Sequence, residues 1–249
     1  MEPILNKPEG QMRGPGQREH ALEPPSVELV IARYREDVSW LADMGLPATV
    51  YDKSGDPTPP ETFGAVWTPL PNVGRESHTY LTHILARYPD FPDFTAFLQG
   101  DPFKHLSADG EADAAALKAA IERNVRLGSA FTGFAWFKLK CDRLGRPHAM
   151  DTPEARDRWK GRSRDIPVGA VYAELFAGDV PETFLATAPA GLLFVSKERI
   201  LSRSKRFYKR CLQLILDDPD DARNTGHAFE RLWQVIFNAK TPSRQGIDP

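Results

Sequence analysis

The chain has few of the features that mark several large protein classes. It contains only two cysteines, Cys141 and Cys211, in 249 residues. That is too few for a disulfide framework, and their spacing is not that of a zinc site. No run of about 20 apolar residues occurs, so no segment is predicted to span a membrane. The first ten residues hold no apolar run either, so no signal peptide is predicted and the expected location is the cytoplasm.

An excess of charge of one sign is also lacking. The formal net charge is −2, whereas nucleic-acid-binding proteins usually carry a strongly basic face. A nucleic-acid partner is therefore not expected. What is present is an ordinary globular composition, with 41% hydrophobic and 27% charged residues. At this length such a composition is sufficient to bury a large core.

The order of the predicted elements indicates one α/β domain over residues 27–240. Residues 1–26 are rich in Pro, Gly, Glu and Arg without periodicity, which predicts a disordered arm, and residues 241–249 are predicted to form a flexible tail. Strands are predicted at residues 27–34, 48–52, 94–98, 131–138 and 191–196, and helices at 36–44, 77–88, 111–127, 197–217 and 226–237. Residues 53–69 hold four prolines and are predicted as loop, while 168–176 fits a helix or a strand. Alternating strands and helices predict a mostly parallel sheet flanked by helices.

Polar side chains follow the predicted strands, where ligands of open α/β sheets bind. Those after the first strand include Arg33, Tyr34 and Glu36, those at the second are Asp52 and Lys53, and those after the third include Gln99, Gly100, Asp101 and His105. Because the carboxyl ends of parallel strands meet at one edge of a sheet, these groups are expected to lie near one another. The pattern supports a binding site without specifying its ligand.

The segment after the third strand suggests a metal site. A carboxylate at a strand end beside substrate phosphates, such as Asp101, is a usual ligand of Mg²⁺ or Mn²⁺. His105, four residues later, would favour Mn²⁺. Gly100 would let a ligand approach the backbone closely. The alternative interpretation is that residues 99–102 form only a turn, in which Asp101 caps the next segment.

The loop at residues 70–77 leads into a predicted helix and suggests an anion site. Asn72 and Gly74 suit a backbone with positive φ. A helix N-terminus offers unpaired N–H donors to an anion, and Arg75 adds a forked donor for phosphate or carboxylate. The alternative is a plain helix start in which Arg75 and Glu76 pair on the surface.

The last predicted helix carries a third candidate group. His227 and Glu230 are three residues apart and share one face, as do Glu230 and Trp233. A carboxylate beside an aromatic ring suits sugar recognition, and Glu230 could act as a general base for an acceptor hydroxyl. The alternative is an amphipathic closing helix whose apolar residues lie in the core. That alternative is compatible with a role for Glu230.

Several linked segments over about residues 27–238 resemble a bacterial and fungal family of domains of unknown function. They are residues 27–40, 70–81 with Asn-Val-Gly-Arg-Glu, 97–105 with Gln-Gly-Asp, 193–208 and 230–237. Members of that family are described as glycosyltransferase-like. The Asn-x-Gly-Arg-Glu element is also similar to the Asn-x-Gly-Arg-Asp element of rhamnan-type glycosyltransferase families.

The resemblance implies a GT-A-like fold, a Rossmann-like sheet that binds a nucleotide sugar, often through an Asp-x-Asp motif and a divalent metal. Residues 99–101 would take the place of that motif, and Gln99 stands where the first acid is expected. One carboxylate holds Mn²⁺ less firmly than two.

The sequence thus predicts transfer of a sugar from a nucleotide-sugar donor to a glycan or small-molecule acceptor. The predicted donor-binding residues are Arg33, Tyr34, Asp52, Asn72, Gly74, Gln99 and Gly100, the predicted catalytic residues are Arg75, Asp101 and Glu230, and the predicted ligands of Mn²⁺ or Mg²⁺ are Asp101 and His105. Glu230 would be the base if the reaction inverts. The rival hypotheses are a non-catalytic nucleotide- or sugar-binding module and a metal-dependent hydrolase using Asp101, His105 and His227.

Overall fold

A computed structural model describes residues 24–56, 61–146, 165–217, 222–238 and 240–244. Most of the predicted arm (residues 1–23) and the end of the predicted tail (245–249) lie outside the described residues. The start of that tail is hydrogen-bonded, since the Ala177 N–H donates to the Pro242 carbonyl at 3.0 Å and the Arg244 N–H to the Leu175 carbonyl at 2.9 Å.

The elements follow one another in an alternating order. The strands are β1 (Val27–Arg33), β2 (Ala48–Asp52), β3 (Val66–Pro69), β4 (Phe94–Gln99), β5 (Phe131–Gly133), β6 (Leu139–Cys141), β7 (Phe184–Ala186) and β8 (Leu193–Ser196). The α-helices are α1 (Leu41–Met44), α2 (Arg75–Arg87), α3 (Ala114–Arg126), α4 (Val168–Leu175), α5 (Lys197–Leu201), α6 (Lys205–Leu216) and α7 (Ala222–Asn238). Short 3-10 turns occupy Phe103–His105 and Pro189–Gly191.

The main sheet has six strands in the order β3-β2-β1-β4-β8-β5. The first four are parallel, β8 is antiparallel to β4, and β5 is antiparallel to β8. This confirms the predicted mostly parallel α/β sheet. Strands β6 and β7 form a separate antiparallel pair. The order reverses between β1 and β4, and such a reversal opens a crevice at the carboxyl ends of the strands.

Helices cover both faces of the sheet. Alternate residues of β1 point to opposite sides, so that Val30 packs in one core cluster while Leu29 and Ile31 pack in another. The first cluster includes residues of α2, α4, α6 and α7, and the second includes residues of α1 and α3. Burial on both faces explains why β1 is an almost continuous apolar run. No helix within the described ranges has the length and apolar character needed to cross a bilayer.

Strand β3 lies inside a segment predicted as loop, so that prediction was wrong there. It pairs in parallel with β2, with Trp67 opposite Val50. Three of the four prolines precede residue 61, and Pro69 is the last residue of this edge strand. An edge strand tolerates proline because the missing N–H faces outward.

Several other element boundaries also differ from the prediction. Helix α1 begins only at Leu41, because the Asp37 carboxylate accepts hydrogen bonds from the backbone and hydroxyl of Ser39 in a preceding turn. The predicted strand at 131–138 ends at Gly133. The predicted helix at 197–217 is divided into α5 and α6, and the Ser204 hydroxyl caps the second by accepting from the Phe207 N–H at 3.1 Å. The segment that fitted either type, 168–176, is helical through residue 175.

Candidate functional site

A cleft of about 190 Å³ lies at the reversal of strand order, beside the start of α2. Its lining residues are Ala32, Arg33, Tyr34, Glu36, Lys53, Asn72, Arg75, Glu76 and Gln99. We call it the switch-point cleft. Five of these residues, namely Arg33, Tyr34, Asn72, Arg75 and Gln99, belong to the predicted site. The cleft therefore joins the segment after the first strand to the loop before α2.

Arg33 is held in place by a buried ion pair. Its Nη1 lies 2.8 Å from Asp52 Oδ1, its Nε donates to the Glu36 carbonyl at 2.9 Å, and its guanidinium stacks 5.2 Å from the Trp67 ring centroid. Asp52 also accepts from the Ser54 hydroxyl at 2.8 Å. The Asp52 carboxylate is thus occupied and is absent from the lining of the cleft. Its structural effect is to orient Arg33 toward the cleft.

Glu36 closes one side of the cleft. Its Oε2 accepts from the backbone N–H groups of Tyr34 and Arg35, at 2.6 and 3.2 Å. A Cβ on Gly100 would lie 2.8 Å from Glu36 Oε2, so the space that the sequence assigned to a ligand at Gly100 is filled by this side chain. The Tyr34 ring remains 42% exposed.

Lys53 brings a buried cation to the cleft. Its Nζ donates to the Val73 carbonyl at 2.7 Å and also to the Arg75 carbonyl, which ties the end of β2 to the loop before α2. Burial lowers the pKa of Lys53 to about 8, with the Glu76 charge opposing this shift and Arg75 reinforcing it. The cation is therefore still largely protonated at neutral pH.

The start of α2 has an unusual backbone. Gly74 has φ 59° and Arg75 has φ 52°. The sequence predicted positive φ at Asn72 and Gly74, so the prediction holds for Gly74, and the second positive φ belongs to Arg75 instead of Asn72. A Cβ on Gly74 would lie 2.3 Å from Ile215 Cγ2. Gly74 itself does not line the cleft, and its role is to let α2 pack closely against α6.

Glu76 is the most unusual group in the cleft. It is 6% exposed, and its Oε2 lies 3.4 Å from Arg75 Nε. Its Oε1 is shielded from solvent and has no hydrogen-bond partner among the described residues. Burial raises the pKa of Glu76, and the charge of Glu230 raises it further, while Arg75 and Lys53 act in the opposite direction. Most buried carboxylate oxygens have a partner, so this unpaired oxygen is unusual; it lies against the 189–191 turn, where a Cβ on Gly191 would be 3.0 Å away.

A strained turn at residues 189–191 forms the floor beside this group. Ala190 has φ 60°, and its carbonyl accepts from Gln99 Nε2 at 2.5 Å. The Ala190 N–H donates to Glu230 Oε1 at 2.7 Å, and the Tyr80 hydroxyl donates to the Gly191 carbonyl at 2.7 Å. Side chains from β4, α2 and α7 therefore hold this turn.

Glu230 is fully engaged within the fold. Besides the bond from Ala190, its Oε2 lies 2.9 Å from Arg231 Nη1, and it does not line the cleft. It affects the cleft through its charge on Glu76. Trp233 is completely buried and stacks on Phe237, with ring centroids 5.6 Å apart, as the alternative interpretation of this helix proposed.

Asp101 and His105 lie outside the cleft lining. The Asp101 carboxylate pairs with Lys104 Nζ at 2.7 Å near the surface, and the His105 ring packs edge-on to Phe137 at 6.0 Å. Within the described ranges, no three His, Cys, Asp or Glu side chains lie close enough to share a metal ion. The assignment of Asp101 and His105 as ligands of Mn²⁺ or Mg²⁺ stays a prediction. The positive charge at the cleft comes from side chains of Lys and Arg.

A comparison with protein families matches residues 29–245 to the family described as Protein of unknown function (DUF3431). The chain belongs to this family. All residues that line the switch-point cleft, and those that hold the turn beneath it, fall within the DUF3431 match. In a comparison with curated proteins, none matches the chain. The chemistry of this DUF3431 member is therefore argued from its cleft.

Three charged residues of the cleft had no predicted role, namely Glu36, Lys53 and Glu76. Glu36 and Lys53 follow strand ends, so their position alone was a signal. Glu76 lies next to Arg75 in the Asn-Val-Gly-Arg-Glu element. The alternative interpretation of that element was a plain helix start in which Arg75 and Glu76 pair on the surface. The pair does form, but Glu76 is buried, a property that depends on packing against the 189–191 turn.

Proposed function

We propose that this protein transfers a glycosyl group from a nucleotide sugar at the switch-point cleft. The observation that carries the proposal is the pairing of Arg75 and Glu76 at the start of α2. They bring a guanidinium and a carboxylate to one cleft, and one oxygen of that carboxylate has no hydrogen-bond partner among the described residues. A ligand that matches both must carry an anionic group next to hydroxyl groups, and the sugar–diphosphate junction of a nucleotide sugar does so.

The cations of the cleft suit a diphosphate leaving group. When the anomeric C–O bond to phosphate breaks, the electron pair stays on the diphosphate oxygen, and preorganised donors stabilise the charge. Arg75 offers a forked donor and Lys53 a compact one. The N-terminus of α2 adds a favourable dipole. This assignment needs no metal ligand from Asp101 or His105.

Glu76 is the better candidate for the base than Glu230. In an inverting transfer, the acceptor oxygen forms a bond to the anomeric carbon while its proton passes to a carboxylate. Glu76 lines the cleft and has an unpaired oxygen, whereas both oxygens of Glu230 are engaged by Ala190 and Arg231. Burial and the charge of Glu230 raise the pKa of Glu76, so this carboxylate binds a proton more readily than an exposed one does.

The rest of the donor would extend along β1. The cleft, at about 190 Å³, is smaller than the roughly 300–1,000 Å³ of typical ligand pockets, so it suits the sugar–diphosphate junction alone. The exposed Tyr34 ring offers a surface on which a base can stack, and Arg33 lies beside it. The strand order β3-β2-β1-β4 is that of a Rossmann sheet, which supports the finer assignment of a GT-A-like fold. The cytoplasmic location stays a prediction.

The proposal is tested by incubating the protein with a panel of UDP-, GDP- and dTDP-sugars and measuring free nucleoside diphosphate. Slow release, with or without Mn²⁺, is the expected result. Binding without turnover, even with acceptors supplied, would identify a non-catalytic module instead. Turnover of simple phosphoesters in place of nucleotide sugars would identify a hydrolase.

A further inference from the structure

A second and larger cleft, of about 450 Å³, lies beside β5 at the edge of the main sheet. We call it the basic groove and define it by β5, Lys138, Arg199, Gln234 and Lys240. Its walls come from the edge strand, the start of α5 and the end of α7. None of its lining residues lines the switch-point cleft.

The basic groove is lined by cations and by no acidic side chain. Its three cations are Lys138, Arg199 and Lys240, and none of them forms an ion pair with another described residue. This local excess stands out because the whole chain has a net charge of −2. Uncompensated charge that surrounds a concave surface attracts ligands of opposite sign.

Two of the cations are held by backbone carbonyls. Arg199 Nη1 donates to the Asn238 carbonyl at 3.0 Å, and Lys138 Nζ donates to the Thr187 carbonyl at 2.6 Å. Each of these bonds uses one donor, whereas a guanidinium has five and an ammonium three. The side chains are thus positioned at the wall and keep donors for a ligand.

The neutral part of the groove also offers groups to a ligand. β5 pairs only with β8 in the described sheet, so its outer edge presents backbone polar groups. Gln234 Oε1 is shielded from solvent and has no hydrogen-bond partner within the described chain. The rings of Phe131 and Phe237 lie 5.7 Å apart and provide an apolar wall.

We propose that the basic groove is a second binding site, for a small ligand that carries two or more phosphate, sulfate or carboxylate groups. Three cations at one concave surface match more than one anionic group, and charge-assisted hydrogen bonds are about twice as strong as neutral ones. The site does not depend on the glycosyl-transfer proposal.

The test compares two double variants of equal charge by calorimetric titration. Lys138→Glu with Lys240→Glu reverses two charges of the groove. Lys140→Glu with Lys209→Glu reverses two exposed lysines elsewhere. The probes are inorganic pyrophosphate, a disulfated disaccharide and a disaccharide of two uronic acids. We expect the wild type to bind at least one probe, the groove variant to bind it at least tenfold more weakly, and the control to stay within about twofold of wild type.

The probe that binds identifies the type of anionic group. If pyrophosphate also binds in the switch-point cleft, the titration should show two sites in the wild type and one in the groove variant. Loss of the groove site and loss of the cleft site can therefore be told apart, and so can failure of the two proposals. Equal weakening in both double variants would overturn the groove, because only overall charge would matter. Absence of binding of all three probes to the wild type at about 10 mM would also overturn it.

Discussion

The switch-point cleft and the basic groove are both lined by cations, but the partners of these cations differ. In the cleft, Arg33 pairs with Asp52, Arg75 lies beside Glu76, and Lys53 is held by two carbonyls. In the groove, no cation has an acidic partner among the described residues. The ligand that we propose for the cleft therefore carries both phosphate and hydroxyl groups, whereas binding in the groove should depend mainly on charge and weaken steeply with salt.

The two sites also differ in what a substitution costs. Glu76 and Lys53 are buried, and removing one partner of a buried charged group leaves the other uncompensated. Lys138 and Lys240 are exposed, and changes at such positions usually alter stability by less than about 0.5 kcal/mol. The direction of the change in stability depends on which buried group is replaced in the cleft, whereas substitutions in the groove should act on binding only.

The largest effect is expected from Glu76→Gln. The amide cannot take the acceptor proton, so kcat should fall by on the order of 10²–10³-fold. The Kd for nucleoside diphosphate should change little, since the amide keeps the size of the side chain. The melting temperature should hold or rise, because a buried carboxyl with an unpaired oxygen is removed. Single-turnover kinetics measures the loss of rate, and calorimetry measures the Kd and the melting temperature.

Glu230→Gln is the matched control for that change. It disturbs the partner of the Ala190 N–H and of Arg231, so its main effect should be a lower melting temperature with a smaller loss of kcat. The opposite pattern, with kcat lost only in Glu230→Gln, would assign the base to Glu230, as the sequence alone suggested.

A smaller effect is expected from Arg75→Lys. An ammonium cannot replace the forked donor of a guanidinium, so the Kd for nucleoside diphosphate should weaken by about tenfold. Arg206→Lys, an exposed position on α6, is the control and should leave the Kd unchanged. Equal affinity of the Arg75 variant and the wild type would show that the diphosphate lies elsewhere.

The sheet was largely predictable because its signals are local. The apolar runs of β1, β2 and β4 are buried as the sequence suggested, and the polar residues at their ends meet at one edge. β3 was missed, since an edge strand needs little hydrophobic pattern and tolerates its terminal proline. The direction of β8 was not predictable from its composition, because parallel and antiparallel strands in a two-sided core share an apolar pattern.

The site was predictable at the level of segments and not of individual roles. Arg33 and Arg75 do line one cleft, because their segments end or begin at the same sheet edge. Whether a carboxylate is available to a ligand depends on its partners, however. Lys104 pairs with Asp101, and Ala190 with Glu230, while Glu76 keeps an unpaired oxygen. Contacts such as that between residues 190 and 230 leave no local pattern in a single sequence.

Gly191→Ala should disturb the cleft by a steric route. A Cβ there would lie 2.6 Å from Glu76 Cγ, at a residue with φ 64°. Gly128→Ala is the matched control, since Gly128 has φ 59° and open space around it. Both changes should cost about 1–2 kcal/mol for the left-handed backbone, and Gly191→Ala about 1 kcal/mol more from overpacking. Urea unfolding measures the difference, and equal losses would place Glu76 out of contact with the turn.

The smallest effect is expected from a change of pH that removes the charge of Lys53. It separates the proposed role of this cation in binding diphosphate from its role in holding the loop before α2. Because its pKa in the folded protein is about 8, raising the pH from 7 to 9.5 removes its charge, and the affinity of the cleft for nucleoside diphosphate should fall by roughly threefold to tenfold. Stability should move the other way. The unfolded chain keeps this proton up to about pH 10.5, so between pH 8 and 10.5 it binds more protons than the folded state, and the contribution of Lys53 to the free energy of unfolding rises with pH.

The variant Lys53→Arg shows how much of the pH dependence of affinity comes from Lys53 and how much from other groups that titrate. An arginine stays protonated in proteins, so the part of the affinity loss that belongs to Lys53 should disappear in the variant. Calorimetry at several pH values gives the affinities, and urea unfolding over the same range gives the stability. A parallel fall of affinity in both proteins would mean that Lys53 does not contact the diphosphate. Its bonds to Val73 and Arg75 would then be its whole function, which is to hold the loop before α2.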